Sequence, residues 1–161
     1  MATTTEKDTA WNLMEKIALC MLVTHDGVGG ELRARPMGAH VMPDENAIYF
    51  LTDVRRHKDD EIEKNQNICL TFADTGGQKY VSVTGTAKVS NDRSKIAELW
   101  STPARAWWDS KDDPNIRVLQ VSPSAAEYWD GPGSVVAYAK MAAAALTGTR
   151  PSLGENKRVA M

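Results

Sequence analysis

The sequence has no long apolar run. No stretch approaches the ~20 residues that span a bilayer, and the alanine-rich residues 142–145 are far too few to anchor one. Residues 1–8 are polar and carry no secretory pattern, so a cytoplasmic location without membrane partners is expected. There are two cysteines, Cys20 and Cys69, each in an apolar run and without metal-type spacing. They are expected to be reduced core thiols. The three histidines are scattered, with His25 in a turn, His40 in a strand and His57 in a charged segment, so no metal site is expected. A basic excess is also missing: 19 Lys and Arg face 21 Asp and Glu, a net charge of −2. This argues against a general nucleic-acid binder but leaves room for a local basic pocket. No P-loop, GxGxxG after a strand, HExxH or GxSxG is present.

What is present is enough for one folded unit. The chain has 161 residues, 42% of them hydrophobic, and no linker or repeat divides it. Helical spacing of Trp11, Met14 and Ile17 predicts a helix over 5–17, with Thr5 or Asp8 as its cap. Strands are predicted over 18–24, within 31–42, and over 47–51, 68–72, 80–89, 116–121 and 126–129. Ser122-Pro123-Ser124 is read as a break between the last two. A short charged helix is expected over 53–65, one capped by Asn91 or Asp92 carrying Ile96 and Leu99, and one over 135–146. Residues 157–161 are read as a short end piece. Strands in hairpin order with helices at the start, middle and end suggest an antiparallel barrel with helical additions.

Three clusters could carry chemistry. Arg33 and Arg35 are two apart, so on a strand they share one face, while Leu32, Ala34 and Pro36 share the other. Pro36 marks a break, a bulge or an edge. Two adjacent guanidiniums repel unless an anion or carboxylates lie between them. The pair therefore suits a phosphate, or else is a polar strand face paired with Glu31 or an acidic neighbour. The second cluster is Thr52-Asp53-Val54-Arg55-Arg56-His57-Lys58, at a strand exit and helix start, where free N–H groups and the dipole favour anions. Asp59, Asp60 and Glu61 allow the plainer reading of a solvated, charge-mixed helix. The third is Trp107, Trp108 and Trp129, which can wall a flat ring or serve as core or interface.

These segments, with Ile48-Tyr49-Phe50-Leu51, Val81-Ser82-Val83-Thr84-Gly85, Leu99-Trp100, Asp113-Pro114 and Glu127-Tyr128-Trp129-Asp130, resemble the FMN-binding split-barrel superfamily. That superfamily includes pyridoxamine 5′-phosphate oxidase, and the chain is most similar to its general-stress-protein-26 branch. The resemblance implies a mainly β fold: a six-stranded antiparallel split barrel with N-terminal, middle and C-terminal helices. It implies one domain with a core over about 6–131, followed by a helix and tail over 132–161. It further implies a homodimer with FMN at the interface. Arg33 or Arg35, with Thr52-Asp53 and His57-Lys58, would hold the phosphate, and backbone from Arg35 through Pro36 to Met37 would lie along the ring. Trp129 would come from the other subunit. The implied activity is FMN-dependent oxidation or reduction of an unknown small molecule, with no identifiable catalytic side chain. The alternatives are flavin storage or sensing, or a relative that takes haem or a deazaflavin. After Trp129 the chain reads Asp130-Gly131-Pro132-Gly133, without the arginine and histidine that grip pyridoxamine in the oxidase. A flavin-touching glutamine of the oxidase is replaced by Tyr80. Oxidation of pyridoxamine phosphate is therefore not expected.

Overall fold

Thr5 opens the first helix, α1 (Glu6–Ile17), through a reciprocal cap. Its hydroxyl accepts from the Asp8 N–H at 3.1 Å, and the Asp8 carboxylate accepts from the Thr5 N–H at 3.0 Å. Four turn-spaced residues, Ala10, Trp11, Leu13 and Met14, are buried by it. The computed structural model describes residues 4–25, 30–56 and 58–161, with the side chains of 58–60 excepted.

Among the described residues eight strands follow: β1 (Leu19–His25), β2 (Leu32–Gly38), β3 (His40–Met42), β4 (Ala47–Asp53), β5 (Asn67–Asp74), β6 (Lys79–Ser90), β7 (Ile116–Asp130) and β8 (Glu155–Ala160). Between and after them lie α2 (Lys58–Lys64), α3 (Arg93–Leu99) and α4 (Ser134–Thr147). The strands pair antiparallel in the order β2-β1-β5-β6-β7-β4-β3, with β8 added alongside β7. The sheet curls into a half-barrel.

The strand count exceeds the expected six for identifiable reasons. The segment 31–42 is two strands separated at Ala39, whose N–H bonds back to Ala18 O at 2.7 Å. Residues 157–161 belong mostly to β8, which pairs with the second half of β7. The expected break at Pro123 is absent, and β7 runs on through it. Pro123 lies opposite Gly85, where the β6–β7 register shifts. A bulge absorbs the missing N–H and lets the strand bend. Gly85 is required there, because a Cβ would sit 2.5 Å from the Ser122 carbonyl oxygen. Gly85→Val is expected to cost about 1–3 kcal/mol in urea denaturation, the scale of forced overpacking.

The barrel interior collects α1, Ile62 of α2 and the inward residues of the strands, among them Leu22, Phe50, Leu70, Phe72, Val83 and Leu119. On the reverse side of β4 and β7, Ala47, Tyr49, Ile116 and Val118 meet Ile96 and Leu99 of α3, flanked by Trp108. Asp92 caps α3, accepting from the Lys95 N–H at 3.0 Å. Cys20 is buried, which pushes its thiol up to about 12, and so fits the expectation of a core thiol. Cys69 is half-buried on the outer face beside Ser82 and does not.

Strand pairing decides which way the Arg33 and Arg35 face turns. Met21 pairs with Pro36 and Val23 with Ala34, so these four share the outside of the sheet with Leu19 and Leu32. Leu19 and Leu32 are 60% and 65% exposed. The arginines and Met37 point the other way, on the side of buried Cys20, Leu22 and Thr24.

Candidate functional site

Inward-facing guanidiniums need a counter-charge, and α2 supplies it. Glu61 is buried. Its carboxylate accepts from Arg35 at 2.7 Å, from Arg33 at 3.1 Å and from the Thr24 hydroxyl at 2.7 Å. Arg35 also donates to Thr24 Oγ1 at 2.9 Å, which closes a ring of bonds. The carboxylate between the two arginines is thus a residue of this chain. Glu61 comes from the charge-mixed run that pointed to a plain surface helix.

Next to this network lies a cavity of about 720 Å³. One side is Leu19 and the end of β2 from Arg35 to Gly38, with His40 beyond. The other is the end of β4, Leu51-Thr52-Asp53, with Arg55 and Arg56 of the 3-10 turn Val54–Arg56. Ser101, Pro103, Ala104, Trp107 and Trp108 complete it. The size suits a cofactor or drug-sized ligand, and the mixture of apolar walls with a few convergent polar groups is typical of such sites.

Alternation along β4 explains two of these residues. Thr52 shares its parity with Ile48 and Phe50 of the barrel interior, whereas Asp53 shares its parity with Tyr49 and the α3 layer. Asp53 is buried and accepts from Arg55 Nε at 2.8 Å, from the Arg55 N–H at 2.9 Å and from Trp108 Nε1 at 3.0 Å. The Arg55 hydrogen bonds hold its carboxyl well below the usual carboxylate range, with Trp108 helping, against the opposing effect of burial. Asp53 is therefore anionic and repels phosphate. Its part is to fix Arg55 and Trp108 in the wall.

Thr52 is 4% exposed, and among the described residues its Oγ1 has no hydrogen-bond partner, the one buried side-chain polar atom there in that position. A buried hydroxyl left unpaired costs free energy, so a polar ligand atom is its natural complement. Arg56 lies over the Trp107 ring at 5.1 Å. His40 is half-buried, which lowers its pKa and favours the neutral imidazole at pH 7.

Of the residues singled out in the sequence, the cavity brings together Arg35, Pro36, Met37, Thr52 and Asp53. Arg33 stays outside its lining, exposed and tied to Glu61. Trp129 lies instead beside Tyr80 in a smaller concavity at the β6–β7–β8 edge. His57 and the Lys58 side chain fall outside the described residues. Sequence reasoning gave no role to Glu61, His40 or the Asp53–Trp108 bond. Only the strand alternation could have signalled that Asp53 faces the tryptophan layer.

These bonds set a pH dependence. Burial alone would raise the Glu61 pKa, but the bonds from Thr24 and Arg35 outweigh it and lower it below its ordinary 4.5; Asp53 is lowered from 3.8. The unfolded chain then binds more protons than the folded one in acid, so stability is complete above the unfolded values and lost as pH falls through the folded ones. Chemical denaturation should show stability falling below about pH 4.5, with Glu61→Gln flattening that acid limb.

A family model described as "Pyridoxamine 5'-phosphate oxidase like" matches residues 5–152. General stress protein 26 of Bacillus subtilis is 37% identical over 79 residues, which cover 47% of this chain and 56% of that protein. The chain spans 56% of the length of the curated relatives it matches. A crystal structure from Jannaschia sp. CCS1, provisionally assigned to general stress protein 26, superposes with a TM-score of 0.75 at 27% identity. That match covers 96% of this chain and 98% of the other. The general stress FMN/FAD binding protein of Xanthomonas citri superposes with a TM-score of 0.66 at 26% identity, covering 78% of this chain and 88% of that one. With most of its length matched by the family model and its fold shared with these structures, the chain belongs to the pyridoxamine 5′-phosphate oxidase-like family.

Proposed function

We propose that this chain binds FMN in the cavity between β2, β4 and the Trp107–Trp108 segment, and works as a flavin-dependent oxidoreductase on a small molecule. The observation that carries the reading is the unpartnered Thr52 hydroxyl, buried in a cavity that Arg35 and Arg55 also line. An unpaired donor beside two guanidiniums fits a phosphate ester, which offers several charged acceptors at once. The FMN/FAD binding described for the Xanthomonas citri relative supports the same choice of ligand.

Arg35, Thr52 and Arg55 would hold the phosphate, while Pro36, Met37 and Leu51 supply apolar surface for a planar ring. Lys58 remains a further candidate for the phosphate. Bound flavin supplies hydride or single-electron transfer. The chain's own contribution is orientation and exclusion of water, helped by Trp108, which Asp53 holds in the wall. Among the described residues lining the cavity, His40 is the one able to exchange a proton near neutral pH. Dispensing with the oxidase's substrate-gripping arginine and histidine leaves pyridoxamine phosphate a poor substrate.

The proposed unit is a homodimer. Leu19, Met21 and Leu32 expose an apolar sheet face continuous with Val23, Ala34 and Pro36, more than scattered surface residues require. Met21→Glu is expected to weaken association by about 2 kcal/mol or more, read by light scattering over a dilution series; a variant as dimeric as wild type would place the interface elsewhere. In such a dimer Trp129 would contribute to the partner's site.

An absorbance spectrum and a bound-ligand mass measurement on freshly purified protein test the ligand without assuming a substrate. FMN retained at near one per chain is the expected result. A protein that carries no flavin and takes up none at micromolar FMN (order of magnitude,) would overturn it.

A further inference from the structure

We propose that α4 of one protomer lies on the apolar outer face of β1 and β2 of a second copy, and there closes the open side of that copy's ligand cavity. This deepens the homodimer reading by naming the element that covers the exposed sheet face, and it rests on that reading.

The helix carries its apolar residues on the wrong side for a lone chain. Ala137 alone among them is buried by the described residues, and Ala144, two turns on, is half-buried, so this line faces the body. At 3.6 residues per turn the opposite line runs through Val135, Ala139, Ala142 and Leu146, with Tyr138 beside it. Val135, Tyr138 and Leu146 are 82%, 71% and 89% exposed. A helix covered on one side keeps polar residues on the other, yet this outward line bears no charge. The one charged residue of α4, Lys140, turns back to its own chain and donates to Ser152 O at 3.0 Å. Nor is the helix a loose tail. Ser134 donates to Gly76 O through both its N–H and its hydroxyl, each at 3.0 Å. At the other end Gly148 takes the left-handed region (φ +70), and its N–H bonds to Ala144 O at 2.8 Å.

A line of residues that points away from its own body is covered by another molecule, and this chain carries a second surface of the same kind. The outer residues of β1 and β2, Leu19, Met21 and Val23 with Leu32, Ala34 and Pro36, bear no charge either. A two-fold axis sets the helix of each copy on the sheet of the other, so both apolar surfaces of both copies leave water in one step. A cover of any other kind would match one surface and leave the other bare. The chain path agrees. Trp129, which the homodimer would place at the partner's site, is joined to α4 by the short link through Gly131, Pro132 and Gly133. The sheet face also borders the cavity, because Leu19, Pro36 and Gly38 belong to its lining. A helix seated on them excludes water from a side that one chain leaves open, so the site is complete only in the dimer.

The test combines Val135→Glu with Leu146→Lys in the full chain. The two charges follow the helix dipole, so helix content by circular dichroism should be unchanged. The double variant should raise the dimer dissociation constant about tenfold or more in sedimentation over a dilution series, because unpaired charges would be buried in the contact. FMN affinity should fall with it, although neither residue lines the chain's own cavity. A benzophenone photo-crosslinker in place of Tyr138, used in a mixture of light- and heavy-isotope chains, locates the contact by mass spectrometry. It should label the other chain within residues 19–25 or 32–38. A double variant as dimeric as wild type, or a crosslink from helix to helix, overturns the contact and leaves the homodimer reading standing. A wild type that is monomeric at roughly 100 μM overturns both. FMN held as tightly by the dissociated variant as by wild type overturns the closing of the cavity. If neither protein binds FMN, sedimentation and crosslinking still decide the contact, and the flavin reading falls by itself.

Discussion

Arg35→Ala should destabilise the fold by about 3 kcal/mol, the lower end of the range for removing one member of a buried ion pair. The reason is what it leaves behind. Among the described residues, Glu61 would stay buried with the Thr24 hydroxyl and the largely exposed Arg33 alone to offset its charge. The double variant Arg35→Ala with Glu61→Ala should recover much of that loss, since it removes the stranded carboxylate as well. Urea denaturation of wild type, the Arg35→Ala and Glu61→Ala single variants and the double variant measures both effects. The same single substitution should weaken FMN binding by a further 1–3 kcal/mol, about 5- to 150-fold, because a charged donor is lost from the cavity wall. Additive effects of the two substitutions on stability would contradict the coupled network.

Asp53→Ala should be the second large loss. It releases Arg55 and Trp108 from one anchor, and so loosens two sections of the cavity wall in a single step. The exposed Arg55 partner is screened by water and adds little. The part-buried bond from the Trp108 indole accounts for most of an expected loss of about 2 kcal/mol. Asp53→Asn keeps an acceptor for the indole N–H and should retain most of the stability, while losing the hold on Arg55. Tryptophan emission separates these outcomes: a red shift is expected for Asp53→Ala and little change for Asp53→Asn. FMN affinity should fall in both, because Arg55 is freed in both.

Much of this architecture was legible in the sequence where local chemistry dominates. Thr5 and Asp8 sit at capping-box spacing, and Trp11 and Met14 recur at helical spacing, so α1 was readable from one turn's worth of residues. The alternation of Arg33 and Arg35 against Leu32, Ala34 and Pro36 was likewise correct. Which face turned inward was not legible. Parity defines two faces, but only pairing with β1 assigns one of them to the interior. The usual rule would have buried the apolar face; here that face lies outside, and Arg35 is held inside against Glu61 while Arg33 reaches the same carboxylate from the exposed end of the strand.

The hidden parts of the site all depend on distant partners. Glu61 meets Arg35 across 26 residues and Trp108 meets Asp53 across 55, and no local pattern announces either contact. Pro123 misled for a related reason. Taken alone it reads as a strand break, but Gly85, remote in sequence, supplies the bulge that tolerates it. The end piece became β8 because β7 offered an open edge beyond β4. Propensity alone could not reveal that edge.

The central claim is that the unpartnered Thr52 hydroxyl marks the flavin phosphate site, and it is tested most directly by titrating FMN and riboflavin into ligand-stripped wild type and Thr52→Val. Wild type should bind FMN more tightly than riboflavin. Thr52→Val should lose about 1–2 kcal/mol of FMN affinity with riboflavin unaffected, because only the phosphate meets that hydroxyl. Equal binding of FMN and riboflavin by wild type, or FMN affinity unchanged in Thr52→Val, would contradict the account.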